Sequence, residues 1–272
     1  MKLKGRNQIK KFKLIAGTLA AKMAAFEGVV GIVFIGGLTR GFADRYSDVD
    51  IIVFLGEKDE DLRKRIRKIG LDEQKLSGLD VDLEVHFLSD FRNRKWSEME
   101  RWDFSQAKIA FDPQGEIRRL FKKKMEVPKH FWIKRIVVYG EYLKWYCCPP
   151  SEGVGTLAET WVDRGDMLSA HYCMNYALDL MVNVLFALNK EFLPPPKWKI
   201  GYSSALKWLP PDYSRLVEEA MTVKNFSVNG LDRRVRALRE LWKQTLPMIE
   251  GKTGLTPATI SKCYVKKVLK QE

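Results

Sequence analysis

Several patterns that would assign the sequence to a specialised class of protein are missing from its 272 residues. The four cysteines form no CxxC pair, stand at no spacing from histidine that is typical of zinc sites, and form no regular disulfide framework. We therefore expect a reducing, cytoplasmic location. No apolar run reaches the length of a membrane span, and neither internal repeats nor low-complexity segments occur, so we expect no membrane partner.

The first residues are basic and precede the apolar stretch LIAGTLAAKMAAF, which superficially imitates a secretion signal. Lys22 interrupts this stretch, and the sequence then continues into a predicted strand instead of a cleavage site. The apolar residues recur at helical spacing. This pattern predicts an amphipathic helix that covers a sheet.

Acidic residues are fewer than basic ones, 34 against 47, and the formal net charge is +13. Such an excess favours anionic partners, including nucleotides and RNA. A solvated surface rich in lysine explains the same count equally well. A hydrophobic fraction of 46% with 30% charged residues excludes a disordered chain and indicates ordinary globular domains.

The two halves of the sequence differ in their predicted secondary structure. Residues 1–125 contain four short strand-like segments, whereas residues 126–272 show helical periodicity alone. We therefore expect an α+β fold: a mixed-sheet domain over 1–125 followed by an all-α helical bundle over 126–272. The predicted strands are 29–35, 51–55, 80–87 and 107–112, and the later predicted helices are 57–69, 116–124, 131–146, 156–189, 212–225, 231–250 and 257–270.

Residues 31–54 read GIVFIGGLTRGFADRYSDVDIIVF and are the most informative stretch. The turn at Gly36 and Gly37 opens a short predicted helix, whose backbone N–H groups could bind phosphate. Asp48 and Asp50 alternate with apolar residues at the start of the next strand, so both carboxylates point to one face. Carboxylate oxygens together with substrate phosphates suit Mg²⁺.

A third acid comes from residues 80–87, where polar and apolar residues alternate strictly. The open face of this predicted strand carries Asp80, Asp82, Glu84 and His86. A carboxylate from this face could complete a two-metal site or act as a general base. The alternation does not distinguish Asp82 from Glu84 in this role.

The pattern GG-x9-S-D-h-D, with Ser47 at its serine, resembles the signature of the nucleotidyltransferase superfamily, which includes DNA polymerase β, the tRNA CCA-adding enzymes and the antibiotic nucleotidyltransferases. Residues 83–89 (LEVHFLS) are similar to the third-carboxylate strand of the kanamycin nucleotidyltransferases, in which Glu84 matches the general base. Residues 185–198 (LFALNKEFLPPPKW) resemble the C-terminal bundle of lincosamide-type enzymes, a bundle akin to HEPN domains.

This resemblance implies a magnesium-dependent enzyme that moves a nucleoside monophosphate, AMP from ATP in the first instance, to a hydroxyl of a small-molecule acceptor and releases pyrophosphate. By the same resemblance, the nucleotide-binding residues would be Gly36, Gly37, Arg40 and Ser47, and the catalytic and metal-binding acids would be Asp48, Asp50 and Glu84, with Asp82 as the alternative third acid. Polymerase-like members usually carry Asp as that acid. A homodimer is expected by analogy alone.

Other functions stay open at this stage. The acceptor could be RNA or a protein side chain, and the chain could be a non-catalytic nucleotidyltransferase–HEPN module with an antitoxin-like regulatory role. Arg164 and His171 stand at the spacing of the HEPN ribonuclease pair within the single predicted helix 156–189. An ordinary exposed arginine and a packed histidine are the more common explanation for such a pair.

Overall fold

The computed structural model describes residues 5–128, 130–149, 154–256 and 258–262. The chain divides into two compact units at Val127 and Pro128. The predicted fold class is confirmed, because the first unit is a mixed four-stranded sheet with helices and the second contains helices alone over its described residues. Among all described residues, no helix combines the length and the apolar character that crossing a membrane requires.

The first unit contains four strands and six helices among the described residues. In chain order they are α1 (Ile9–Ala24), β1 (Val29–Phe34), α2 (Gly36–Arg40), β2 (Val49–Leu55), α3 (Glu60–Ser77), β3 (Val81–Phe87), α4 (Leu88–Asn93), α5 (Glu98–Ser105), β4 (Lys108–Phe111) and α6 (Glu116–Met125).

The strand order in the sheet is β3-β2-β1-β4. β1 pairs antiparallel with both β2 and β4, whereas β2 and β3 are parallel. A parallel pair needs a crossover connection, which α3 supplies. Asp59 caps the N-terminus of this helix, because its side chain accepts a hydrogen bond from the Leu62 backbone N–H at 2.8 Å.

The two faces of the sheet contact different helices. Ile51 and Val53 belong to a core that includes the buried residues of α1, as the apolar spacing predicts. Ile52 and Phe54 point to the opposite face and pack with aromatic residues of α4, α5 and α6. The alternation along β2 thus places one apolar layer on each side, while the acids at the beginnings of β2 and β3 stay half-buried or exposed.

Gly31 allows α6 to lie close to β1. A Cβ at this position would be 2.2 Å from Cγ1 of Ile117, a fully buried residue of α6. The sequence patterns do not predict α4 and α5. The second of these begins with a capping box, in which Ser97 and Glu100 each accept a hydrogen bond from the other's backbone N–H.

The described part of the second unit contains six longer helical elements and a short helical segment at 258–262. They are α7 (His130–Tyr146), α8 (Leu157–Asp163), α9 (Met167–Asn189), α10 (Pro196–Ser203), α11 (Tyr213–Met221) and α12 (Val228–Thr253). The rest of the predicted helix 257–270 lies outside the described residues. Helix α10 is a further element that the sequence patterns miss; it begins at a proline, which is favoured in the first helical turn.

The prediction of one helix over residues 156–189 is wrong. The chain breaks between α8 and α9 at Gly165, whose φ of +78° is left-handed. Asp166 then caps α9 by accepting a hydrogen bond from the Ser169 N–H at 3.0 Å. Apolar periodicity continues across the break because both helices bury residues in one core, which conceals the interruption.

Candidate active site

The register between β2 and β3 brings the acidic residues together. Asp50 pairs with Asp82 in the parallel ladder, so their side chains leave the sheet on the same face. Asp48 directly precedes β2 and lies two residues before Asp50, again on that face. The sequence pattern predicts this convergence for Asp48 and Asp50, and the ladder adds Asp82.

Asp50 is the most perturbed acid in the group. Its pKa is raised to about 7, first by burial and then by the neighbouring carboxylates of Asp48 and Asp82. A hydrogen bond with Asp48 also favours the protonated form, whereas the positive charge of Arg40 opposes the shift. Near neutral pH, Asp50 is therefore partly protonated when no cation is bound.

The glycine turn fits closely around Asp50. Gly36 has a φ of +61°, and a Cβ at this position would lie 1.7 Å from Oδ2 of Asp50. At Gly37 a Cβ would be 3.0 Å from the Phe42 carbonyl oxygen. Both glycines thus permit a backbone approach that a side chain would block, and they place the start of α2 beside the acids.

Arg40, at the end of α2, is held by residues of α5. Its Nη1 atom is 3.6 Å from Oδ1 of Asp103, and its guanidinium lies over the Trp102 ring at 5.6 Å from the ring centroid. Its charge still lowers the pKa of Asp50. Arg40 therefore lies near enough to Asp50 to act on its pKa, and it is also engaged by Asp103 and Trp102 of α5.

Ser47 stabilises the loop that precedes β2. Its hydroxyl donates to Oδ1 of Asp44 at 3.2 Å and accepts from the Asp44 backbone N–H at 3.0 Å. The Ser47 backbone N–H donates to the Asp44 carbonyl oxygen at 3.1 Å. The hydroxyl thus holds the loop shape that presents Asp48.

Asp82 and Glu84 occupy different surroundings on the open face of β3. Burial, Glu84 and Asp48 together raise the pKa of Asp82. The pKa of Glu84 is lowered, above all by a hydrogen bond from His86, whose Nε2 is 2.6 Å from Oε2 of Glu84. Asp82 is thus electrostatically coupled to Asp48 and Asp50, whereas Glu84 is engaged by His86.

Sequence reasoning gave His86 no role and missed the residues that follow β3. His86 lies against the Phe91 ring at a centroid distance of 5.0 Å. Arg94 forms an ion pair with Glu100, and the charges of both act on the pKa of Glu84. The spacing of Ser97 and Glu100 is a capping signal that could have located α5. The proximity of these residues to Glu84 has no local signature in the sequence.

A magnesium site here would need ligands from a substrate. Within the ranges that the structure describes, no group of three or more His, Cys, Asp or Glu side chains could hold a metal ion by itself. Mg²⁺ typically binds through one or two carboxylates plus substrate phosphates. After burial, the charges of Asp48 and Asp82 contribute to the raised pKa of Asp50, and a divalent cation would offset that repulsion. The residues present fit such an ion.

Arg164 and His171 belong to different helical elements. Arg164 ends α8 and lies over the Trp161 ring at 4.8 Å, whereas His171 is buried on α9. His171 Nδ1 accepts a hydrogen bond from Nη1 of buried Arg234 at 2.7 Å. The expectation that both residues share one helix is wrong, and His171 has a structural partner.

Comparison with known proteins addresses the N-terminal part of the chain. Residues 18–111 match the family model of the nucleotidyltransferase domain. No curated protein matches the sequence. The match covers both strands that carry the acids, together with the glycine turn.

Solved structures show a limited likeness. A nucleotidyltransferase-like protein from Exiguobacterium sibiricum is 13% identical, with a TM-score of 0.42, over 88% of this chain and 77% of that protein. The tri-AMPylated HEPN toxin of Shewanella oneidensis in complex with MNT antitoxin gives 18% identity and a TM-score of 0.31, over 48% of this chain and 97% of that one. A toxin–antitoxin structure with AMP-PNP gives 19% identity and a TM-score of 0.33, over 46% and 96%. Residues 18–111, which contain the whole sheet, therefore match a nucleotidyltransferase domain.

Proposed function

We propose that the chain transfers a nucleoside monophosphate, AMP from ATP in the first instance, to a hydroxyl of a small-molecule acceptor in a magnesium-dependent reaction that releases pyrophosphate. The observation that carries this proposal is the convergence of Asp48, Asp50 and Asp82 beside Gly36, within a nucleotidyltransferase domain. The small acceptor follows the sequence resemblance to the antibiotic enzymes.

Asp48 and Asp50 would supply the protein ligands of magnesium, which when bound neutralises charge on the triphosphate and on the leaving pyrophosphate. The backbone at Gly36 and Gly37 would approach the phosphates, because neither residue has a side chain to keep them away. Ser47 would act through the loop that presents Asp48, and Arg40 would add a positive charge next to Asp50.

We assign the third acid to Asp82, with Glu84 as the alternative. Asp82 lies opposite Asp50 in the ladder, and its raised pKa makes it the stronger base of the two. Its carboxylate would take the proton of the acceptor hydroxyl. The hydroxyl oxygen then bonds to the α-phosphorus as the bond from that phosphorus to the β-phosphate oxygen breaks. Glu84, held by His86, would lie beside the bound acceptor.

The test is transfer of labelled α-phosphate from ATP in the presence of magnesium and candidate acceptors. Asp48→Asn and Asp50→Asn should abolish transfer, whereas Asp80→Asn, an identical change at an exposed residue just before β3, should leave it intact. Asp82→Asn should lower kcat by about 10²- to 10⁴-fold, the usual contribution of a general base, and Glu84→Gln by less. The reverse order would move the base role to Glu84. Undiminished transfer by Asp48→Asn or Asp50→Asn would refute the proposed site.

Acceptor classes are separated by the masses of the adducts. Aminoglycosides, lincosamides, tRNA and protein are incubated with each labelled nucleoside triphosphate and magnesium. A small-molecule adduct supports the proposal, and an adduct on RNA or protein replaces its acceptor. Magnesium-dependent ATP binding without any adduct would favour the non-catalytic regulatory module.

A further inference from the structure

Helix α6 presents a continuous basic surface to solvent. Its apolar residues Ile117, Leu120 and Phe121 are buried against the sheet. The opposite side carries four exposed basic residues, which we call the α6 basic surface: Arg118, Arg119, Lys122 and Lys123. None of these four side chains forms an ion pair or side-chain hydrogen bond with any residue that the structure describes.

These four charges do not stabilise the helix that carries them. Arg118 and Lys122, like Arg119 and Lys123, are four residues apart, and like charges at this spacing cost about 0.2–0.5 kcal/mol per pair. The two arginines also lie in the first turn, where the helix dipole disfavours cations. Glu116, the acidic residue of that turn, is engaged by Arg92 at 3.1 Å.

Further cations extend the surface toward the candidate active site. Lys124 Nζ donates to the Arg94 carbonyl oxygen at 2.7 Å, which joins α6 to the segment after α4. Burial lowers the pKa of Lys124, and the charges of Arg94, Arg101 and Lys123 lower it further. Arg94 in turn acts on the pKa of Glu84 on β3. Positive charge therefore reaches from the exposed side of α6 to the open face of the sheet.

Helix α3 gives the contrasting arrangement in the same unit. Part of its basic charge is paired within the helix, because Arg63 and Lys64 form ion pairs with Glu60 and Asp61 at 2.6 and 3.5 Å. Between residues 92 and 124, by contrast, ten basic residues stand against five acidic ones. Residues 92–124 thus carry a net excess of five cations.

We propose that the α6 basic surface binds the phosphate backbone of RNA. Residues 118 and 122 are separated by about 6 Å along the helix axis, and a row of cations at this spacing suits a chain with regularly repeated phosphates. The exposed side of α6 has no apolar or aromatic anchor of the kind that centres a protein interface. It also offers no stacking platform for bases, so binding is independent of sequence.

The inference does not depend on the proposed transfer, and it is tested without nucleoside triphosphate. Fluorescently labelled oligo(U) and oligo(A) of equal length are titrated with the full chain at several salt concentrations. The two should bind equally, and log Kobs should fall linearly with log salt, by about 0.7 for each phosphate contacted. Absence of binding at low salt, or strong preference for one base, would overturn the inference.

Two double variants locate the surface. Arg119→Ala with Lys123→Ala should reduce the magnitude of the salt slope by about 1.4, because two phosphate contacts are lost. The matched control, Arg67→Ala with Lys68→Ala on the exposed side of α3, removes the same charge and should leave the slope unchanged. Equal losses in both variants would show binding through net charge alone and would refute the assignment to α6. All four residues are exposed on helices, and circular dichroism verifies that both variants keep the parent fold.

Discussion

Replacement of Asp50 by asparagine should make the protein more stable at alkaline pH while abolishing transfer. In the parent without magnesium, the pKa of Asp50 is raised from 3.8 to about 7 by burial and by the carboxylates of Asp48 and Asp82. The folded state therefore binds a proton more tightly than the unfolded state, and stability falls as pH rises from about 4 to 7. Asparagine has nearly the same shape, fits against Gly36 and never ionises.

The magnitude follows from the shift in pKa. At about 1.4 kcal/mol per unit, Asp50 makes the parent about 3 kcal/mol less stable at pH 8 than at pH 5. This is an upper figure, because Asp50 is only half-buried and water screens the repulsion. The asparagine variant lacks this contribution. Its free energy of unfolding, relative to that of the parent, should therefore rise by up to about 3 kcal/mol from pH 5 to pH 8.

Urea unfolding of both proteins at pH 5 and pH 8, without divalent cations, measures the difference. Magnesium added at pH 8 should raise the parent's midpoint more than the variant's, since the ion relieves a repulsion that asparagine has already removed. A variant that is less stable than the parent by the same margin at both values of pH would refute the carboxylate repulsion. It would mean that Asp50 stabilises the fold by packing or hydrogen bonding alone.

Two further substitutions test contacts in each unit. Gly36→Ala should weaken ATP binding and cost more stability than Gly41→Ala, because the added Cβ would meet Asp50. Gly41 also has a left-handed φ, +81°, but open space around it. Urea unfolding of Gly41→Ala should therefore show a loss of about 1–2 kcal/mol, the cost of the left-handed conformation alone. His171→Ala should cost about 1–3 kcal/mol by leaving a buried N–H of Arg234 without its acceptor, and transfer of AMP should not change. Burial and the charge of Arg234 lower the pKa of His171 below 6.5, so the contribution of His171 to stability is present above that pH and is lost on acidification. The free energy of unfolding of the variant should therefore depend less on pH than that of the parent. An unchanged pH dependence of unfolding would contradict this.

The sequence predicts those parts of the fold that depend on local periodicity. The alternation in β3 and the apolar run in β2 identify strands, and the spacing of Asp48 and Asp50 places both on one face. The break at Gly165 was also visible as a glycine followed by a capping aspartate, yet the apolar period continued across it. A helix that is buried nearly all round, such as α9, gives little information on where it begins.

The alternation in β3 does not choose between Asp82 and Glu84, and only the family resemblance favours Glu84. Both side chains lie on the open face of β3, because residues two apart on a strand point to the same side of the sheet. What separates them is the register with β2, which places Asp82 opposite Asp50, and the contact of Glu84 with His86. Register depends on the crossover through α3 and on packing of both strands, which are properties of the folded chain.

The absence of a side chain at Gly31 affects the distance between the α6 basic surface and the acids of β2 and β3. Because Gly31 has no side chain, Ile117 of α6 packs directly against the β1 backbone, in space that a Cβ would need. The carboxylates rise from strands of that same sheet, while the guanidinium and ammonium groups project from the helix. A larger residue at position 31 would therefore push α6 away from the sheet and move its basic residues further from the acids.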